Sequence, residues 1–275
     1  MQSLSMRQNR TPPRGRKDHY LPQGYLRGFI AAGRESLHRP LWCMRPHTGQ
    51  WDYKSPAQIG YEIGFYDFAN DALDAEHADT TFREMENQFP AIRALLVTNR
   101  FDGWKLHKDF LCTRSPLYFQ QKKTELVTQH IWTIASVDES GKTLTLENME
   151  GRLMTRAEIH DHTLSKMRDE FKQGVGWMNE FYWTMRITDD PQDPFVAGEQ
   201  PLFVSSDDPL HTTVMQHPTT HIYFPLCWQA CLVGKRIPWL DDTQTIASDK
   251  LRVIRRIVRQ RAEKFVVSPL PIIIA

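Results

Sequence analysis

The sequence predicts an α+β fold, with central helices packed on a mostly antiparallel sheet built chiefly from the C-terminal half. Three observations carry that expectation. Apolar residues recur at intervals of three and four through the middle of the chain, as Phe82, Met85, Phe89, Ile92, Leu95 and Leu96 do. After residue 176 the pattern changes to short strand-like runs such as WMNEFYWTMRIT and HIYFPL. Pro/Asp-rich turns such as DDPQDP separate those runs, so helices and strands occupy different stretches of chain.

Each element has its own justification. Residues 1–16 carry Arg7, Arg10, Arg14 and Arg16, two prolines and no acid, and read as a flexible basic arm. In KDHYLPQGYLRGF, the residues Tyr20, Leu21, Tyr25, Leu26 and Phe29 make an apolar helical stripe. A short helix is expected from Pro22, which suits a first turn, to near Gly28. Two aromatic-rich runs flank Thr48-Gly49 and predict a β-hairpin, which either joins the main sheet or sits apart. The segment 59–68 alternates like a strand weakened by Gly60 and Gly64. From Ala72 to Asn99 the period is helical, with a division at Pro90.

A second helical region covers 103–132 and is interrupted at Pro116. Asp138-Glu139-Ser140-Gly141 reads as a hairpin turn, and Thr155 with Glu158 forms a capping box for a helix through 173. The last helix is expected from about Ile246 to Lys264, capped by Ser248 or Asp249. An FVV strand follows, then an apolar tail over 269–275. Cys227 and Cys231 fall four apart in what reads as one strand, which would place both on one face as buried thiols.

Composition narrows the function classes. Of 275 residues, 40% are hydrophobic and 24% charged, the balance of a globular protein rather than a disordered, collagenous or coiled-coil one. With 34 Lys+Arg against 33 Asp+Glu the net charge is +1, so any basic surface must be local. No apolar run approaches the roughly 20 residues that a bilayer requires. The basic N-terminus is followed by no apolar stretch, so it does not read as a secretory signal. Four scattered cysteines without a CxxC pair suit a reduced compartment, and the expected localisation is cytoplasmic.

Three groups of residues could carry chemistry. Arg252, Arg255, Arg256 and Arg259 recur at i, i+3, i+4 and i+7, with no carboxylate between Asp249 and Glu263. They would share one helix face opposite Leu251, Ile254, Ile257 and Val258. That face is either simply solvated or a contact for nucleic acid or a phosphorylated ligand, since guanidinium forks match phosphate oxygens. In PLFVSSDDPL a strand runs into Ser206, Asp207 and Asp208, where a carboxylate could hold a divalent cation or act as a base. A tight turn uses the same residues. In FREMENQF, Glu84 and Glu86 point to different helix faces, and Arg114 of FLCTRSP is a counter-charge for the inward one.

Among eleven histidines, His160 and His162 point apart on a predicted helix and cannot chelate one ion. His19 stands four residues before Gln23, a spacing that shares a helix face, although a capping or surface role is equally open to it. No HExxH, P-loop, GxGxxG or GxSxG motif is present.

Together, several of these segments resemble the proteins grouped as domain of unknown function 4238. KDHYLPQGYLRGF is similar to that family's "KxHYVPQFYLRNF" opening, and FREMENQF and FLCTRSP are similar to its acidic helix and "Phe…Arg-x-Pro" segment. PLFVSSDDPL with YFPLCW resembles its "F-x-TSDNPV … FPL" strands, and AEKFVVSP its closing "A-x-RFVYS". The resemblance spans residues 17–268 and implies one globular domain over that range. Asp208 stands where the family has Asn, and Gly24 and Gly28 replace an aromatic residue and an Asn.

The family brings positions rather than a known activity, and it adds weight to His19, Gln23, Arg114, Ser206 and Asp207. The expectation that follows is a metal-dependent hydrolase of phosphodiester-type bonds, such as a nuclease. In that reading Asp207 and Glu86 hold a divalent cation such as Mg²⁺, and His19 acts as general acid or base. Gln23, Arg114 and Ser206 position the substrate, while Arg252, Arg255, Arg256 and Arg259 carry the polyanion. The alternative is a non-catalytic module that binds nucleic acid or protein.

Overall fold

The computed structural model describes residues 17–31, 40–63, 180–205, 217–238 and 243–274, and most of 87–97. Three sheets are present among the described residues. Strands β1 (Lys17–His19) and β4 (Tyr61–Ile63) pair antiparallel as a two-stranded ribbon. Between them lie β2 (Leu41–Met44) and β3 (Trp51–Lys54), the arms of the hairpin predicted around Thr48-Gly49. Gly49 adopts φ +68°, the left-handed conformation that closes the turn without a side-chain penalty.

The C-terminal half supplies β5 (Tyr182–Ile187), β6 (Ala197–Gly198), β7 (Phe203–Ser205), β8 (His221–Cys227), β9 (Ala230–Lys235), β10 (Thr243–Thr245) and β11 (Val266–Ser268). Five of them form one sheet in the order β10-β5-β9-β8-β7. It is antiparallel except where β10 runs parallel to β5. The second sheet, β3-β2-β11-β6, unites the N-terminal hairpin with the C-terminal strand. The antiparallel C-terminal sheet is therefore as expected, and the hairpin builds a sheet of its own with two C-terminal strands.

Two helices are described from end to end. Helix α1 (Gln23–Leu26) follows Pro22 as N-cap and continues as a 3₁₀ turn through Phe29, so the short predicted helix is present. Helix α2 (Ser248–Arg261) has Ala247 at its N-cap with no side-chain bond. Ser248 and Asp249 are thus inside the first turn rather than capping it, and Asp249 acts there through its charge on the helix dipole. Described residues between 87 and 97 are helical, Phe89, Pro90 and Ala91 among them, and the division expected at Pro90 turns on residue 88, which lies outside the described residues. The predicted helices at 103–132 and 155–173, the turn at 138–141 and the arm at 1–16 lie outside the described residues. Among the described residues no helix is long and apolar enough to cross a membrane.

The four-stranded sheet separates two apolar cores. Leu41, Cys43, Ala197 and Val267 point into one, with Tyr25, Leu26, Phe29, Phe224 and Leu226. Met44 and Val266 point the other way, against Leu251, Ile254, Val258 and Ala262 of and just after α2. Alternation along each strand sends successive residues to opposite faces, which is how one short sheet serves both cores. Fully burying each of those large α2 side chains is worth about 1.5–3 kcal/mol.

Cys227 and Cys231 are both buried, yet they lie on different strands, β8 and β9. The tight turn at Trp228-Gln229 reverses the chain between them, and Cys231 pairs across with Pro225. A reversal within four residues cancels the one-strand spacing argument.

Candidate functional site

The four arginines of α2 are divided by the fold. Arg252 and Arg256 are exposed and Arg259 is half-buried, while Arg255 is buried. Its Nε donates to the Pro194 carbonyl at 2.8 Å, and its Nη2 lies 2.6 Å from Asp193 Oδ1. Burial pulls the Arg255 pKa down, and the adjacent Asp193 carboxylate opposes that shift. The physical reason is positional: Leu251, Arg255, Val258 and Ala262 recur at i, i+4, i+7 and i+11, which is the core-facing stripe. Arg255 therefore leaves the shared polar face expected for it, and Arg252, Arg256 and Arg259 remain.

A groove of about 480 Å³ lies beside two of those three, Arg256 and Arg259. Pro46 and His47 from the β2–β3 turn line one wall, and Arg256, Arg259, Gln260 and Ala262 line the other. His47 was not picked out by sequence, because only the docking of the hairpin on α2 brings it there. Arg259 Nη1 also donates to the carbonyl of Ile274, which ties the C-terminal tail to the groove's edge. A Cβ built on Gly49 would stand 3.8 Å from Arg259 Nη2, so the turn and the guanidinium are near neighbours. Two guanidinium groups, an imidazole and a carboxamide converge on one concavity, and no carboxylate lines it among the described residues.

The N-terminal signature makes a second polar region. His19 ends β1 and Gln23 opens α1, and their Nε2 atoms are 3.5 Å apart. The two residues meet as expected, across the Pro22 bend rather than along one helix. The His19 ring packs on Tyr61 at 5.7 Å between centroids, and Asp18 beside it is buried. The rest of the segment anchors the core. Tyr25 donates from its hydroxyl to the Pro225 carbonyl at 2.8 Å, and Arg93 reaches the Gly24 carbonyl at 2.6 Å. At Gly28 a Cβ would sit 2.9 Å from the Leu226 carbonyl and 2.8 Å from Arg93 Nη1. A side chain here would therefore require the Leu226 backbone or the Arg93 guanidinium to shift.

Glu199 forms a third feature. It is buried, and its carboxylate accepts backbone N–H groups of Glu263, Lys264 and Phe265 where the chain leaves α2. Burial raises its pKa, and those donors work in the opposite direction. Lys264 extends from the same corner to Glu62 at 2.7 Å and lies over the Tyr20 ring, joining the β1–β4 ribbon to the end of α2. Burial also pushes the nearby Cys43 thiol up to about 11, so it is an unreactive packing group.

Glu84, Glu86, Arg114, Ser206, Asp207 and Asp208 lie outside the described residues, so both expected metal ligands do as well. Among the described residues no group of three His, Cys, Asp or Glu side chains could hold a metal ion. No curated protein and no solved structure matches the chain significantly. A family model described as "Protein of unknown function (DUF4238)" matches residues 17–269, which include the His19–Gln23 pair, the groove-lining arginines and the eleven strands among the described residues. The chain belongs to that family.

Proposed function

We propose that the protein binds the phosphate backbone of a nucleic acid in the groove between α2 and the β2–β3 turn. The convergence of Arg256, Arg259, His47 and Gln260 on one concavity, with no carboxylate lining it among the described residues, supports this reading. Guanidinium forks pair with phosphate oxygens in two-point geometry, and a half-buried Arg259 loses less freedom on binding than an exposed one would. In a chain of net charge +1 the attraction is local and must be read from its salt dependence.

The test is fluorescence anisotropy of a labelled oligonucleotide across ionic strength. Each phosphate contact contributes about −0.7 to the log–log slope for a single strand. The double variant Arg256→Gln, Arg259→Gln should flatten the slope by about 1.4 on that rule. Absence of salt-dependent binding by the wild type at modest ionic strength would reduce the groove to a solvated face.

A second reading is a metal-dependent hydrolase of phosphodiester bonds. The 3.5 Å approach of His19 and Gln23 favours it, since an imidazole beside a carboxamide can exchange a proton while the amide orients a phosphate. Asp207 and Glu86 would hold the metal, with Arg114 and Ser206 on the substrate. Melting scans with Mg²⁺, Mn²⁺ or Zn²⁺ should then show a specific stabilisation. His19→Ala should abolish hydrolysis with the melting temperature nearly unchanged. Loss of several degrees without any activity to lose would assign His19 to the packing of the signature segment.

A further inference from the structure

We infer that the nucleic acid taken by this face is single-stranded, with bases stacking on Tyr53 while phosphates occupy the groove; this rests on the groove reading above. Tyr53 and Trp42 pair directly across β2 and β3, with ring centroids 3.7 Å apart. Trp42 is half-buried, whereas Tyr53 is 56% exposed although one side of its ring is covered. An exposed aromatic backed by a second ring is a rigid platform, because its partner fixes the rotamer before anything binds.

The strand register puts this platform on the groove's side of the sheet. Met44 and Trp51 form the second pair along toward the turn, beyond Cys43 and Asp52, and pack into the core under α2. Residues two apart on a strand share a face, so Trp42 and Tyr53 look the same way as Met44 and Trp51. Trp51 is bonded through Nε1 to the Ile272 carbonyl of the tail at 3.2 Å, which marks that side as the one carrying α2 and the tail. From Trp42 to Pro46 is four residues, or about 14 Å of extended chain. A flexible strand of a few nucleotides can bridge that interval. A duplex keeps its bases stacked on each other and offers no free face to Tyr53.

Three probes separate the possibilities: a labelled oligo(dT) single strand, a duplex of equal length and inorganic polyphosphate. Tyr53→Ala should weaken the single strand roughly tenfold, the effect of losing one stacked base, and leave polyphosphate unchanged. Tyr53→Phe should restore the single-strand affinity. Arg256→Gln with Arg259→Gln should weaken all three probes. Equal effects of Tyr53→Ala on single strand and polyphosphate, or none on either, would overturn stacking while leaving the groove intact. Preference of the wild type for the duplex would overturn it too. Failure of every probe to bind would remove the groove reading and this inference with it. The exposed position of Tyr53 keeps its variants folded, which a melting scan checks.

Discussion

Arg255 and Asp193 form a pair in which the arginine is turned into the protein and the carboxylate stays partly open, with 2.6 Å between Nη2 and Oδ1. The guanidinium also holds the Pro194 carbonyl, so it fastens the segment before β6 to the middle of α2. Removing one partner of a buried pair costs about 3–5 kcal/mol, and the 20% exposure of the Asp193 side chain argues for less here. Arg255→Gln should therefore lower stability by about 2–3 kcal/mol. Arg252→Gln and Arg256→Gln should stay within about 0.5 kcal/mol of wild type. Urea unfolding compares them; equal costs at 255 and 256 would deny the pair its structural role.

Glu199 gives the fold a pH dependence of predictable sign. Its folded pKa is raised above the ordinary carboxylate value, chiefly by burial, so folding favours the protonated acid. The stability it contributes is complete below the unfolded pKa and is lost as pH rises through the folded one. Relative to Glu199→Gln, the wild type should lose stability on going up through that window, by at most about 1.4 kcal/mol per pH unit. Melting temperatures of the two proteins across acidic and neutral pH decide the matter. A wild type that gains on the variant as pH rises would mean the three backbone donors outweigh burial.

Tyr25 locks the signature segment to the large sheet through its bond to the Pro225 carbonyl. Both groups are buried, so Tyr25→Phe leaves an acceptor without its hydroxyl partner. A cost of about 1–3 kcal/mol follows, without a change in the denaturant slope. Burial also holds the hydroxyl well above its ordinary pKa, so it remains a donor throughout the working range. Chemical denaturation of the single variant is sufficient, and a neutral result would place this anchor elsewhere.

Gly60 and Gly49 share left-handed backbone, at φ +67° and +68°, but not the same surroundings. A Cβ at Gly60 would stand 3.0 Å from Leu21 Cβ, whereas at Gly49 the nearest atom is the end of Arg259 at 3.8 Å. Each Gly→Ala change incurs about 1–2 kcal/mol for the left-handed conformation. Gly60→Ala should exceed Gly49→Ala by roughly a further 1 kcal/mol, because Leu21 is buried and has little room to move. Similar costs at both positions would show that the ribbon yields around Leu21.

Much of this could be read from local pattern. Thr48-Gly49 between aromatic runs specified a hairpin, Pro22 specified a helix start, and the alternating runs after residue 176 became strands. Each depends on backbone preferences acting over a few residues, which hold wherever the segment lies. The family signature was equally local, and the matched range of 17–269 agrees with it. The stripe of Leu251, Arg255, Val258 and Ala262 was also present in the sequence, and periodicity alone could have assigned Arg255 to it.

Partnership between distant segments was not legible. His47 joins Arg256 and Arg259 only because β2 pairs with β11, which brings the turn beneath a helix some two hundred residues later. Glu199 accepts from residues 263–265 for the same reason. Cys227 and Cys231 occupy separate strands because the two residues at Trp228-Gln229 suffice for a reversal. The sequence by itself determined the local conformations, the absence of a global charge field and the family. Which polar groups share a cavity was decided by tertiary structure, since burial of two cores on opposite faces of one sheet selects the register, and the register selects the neighbours.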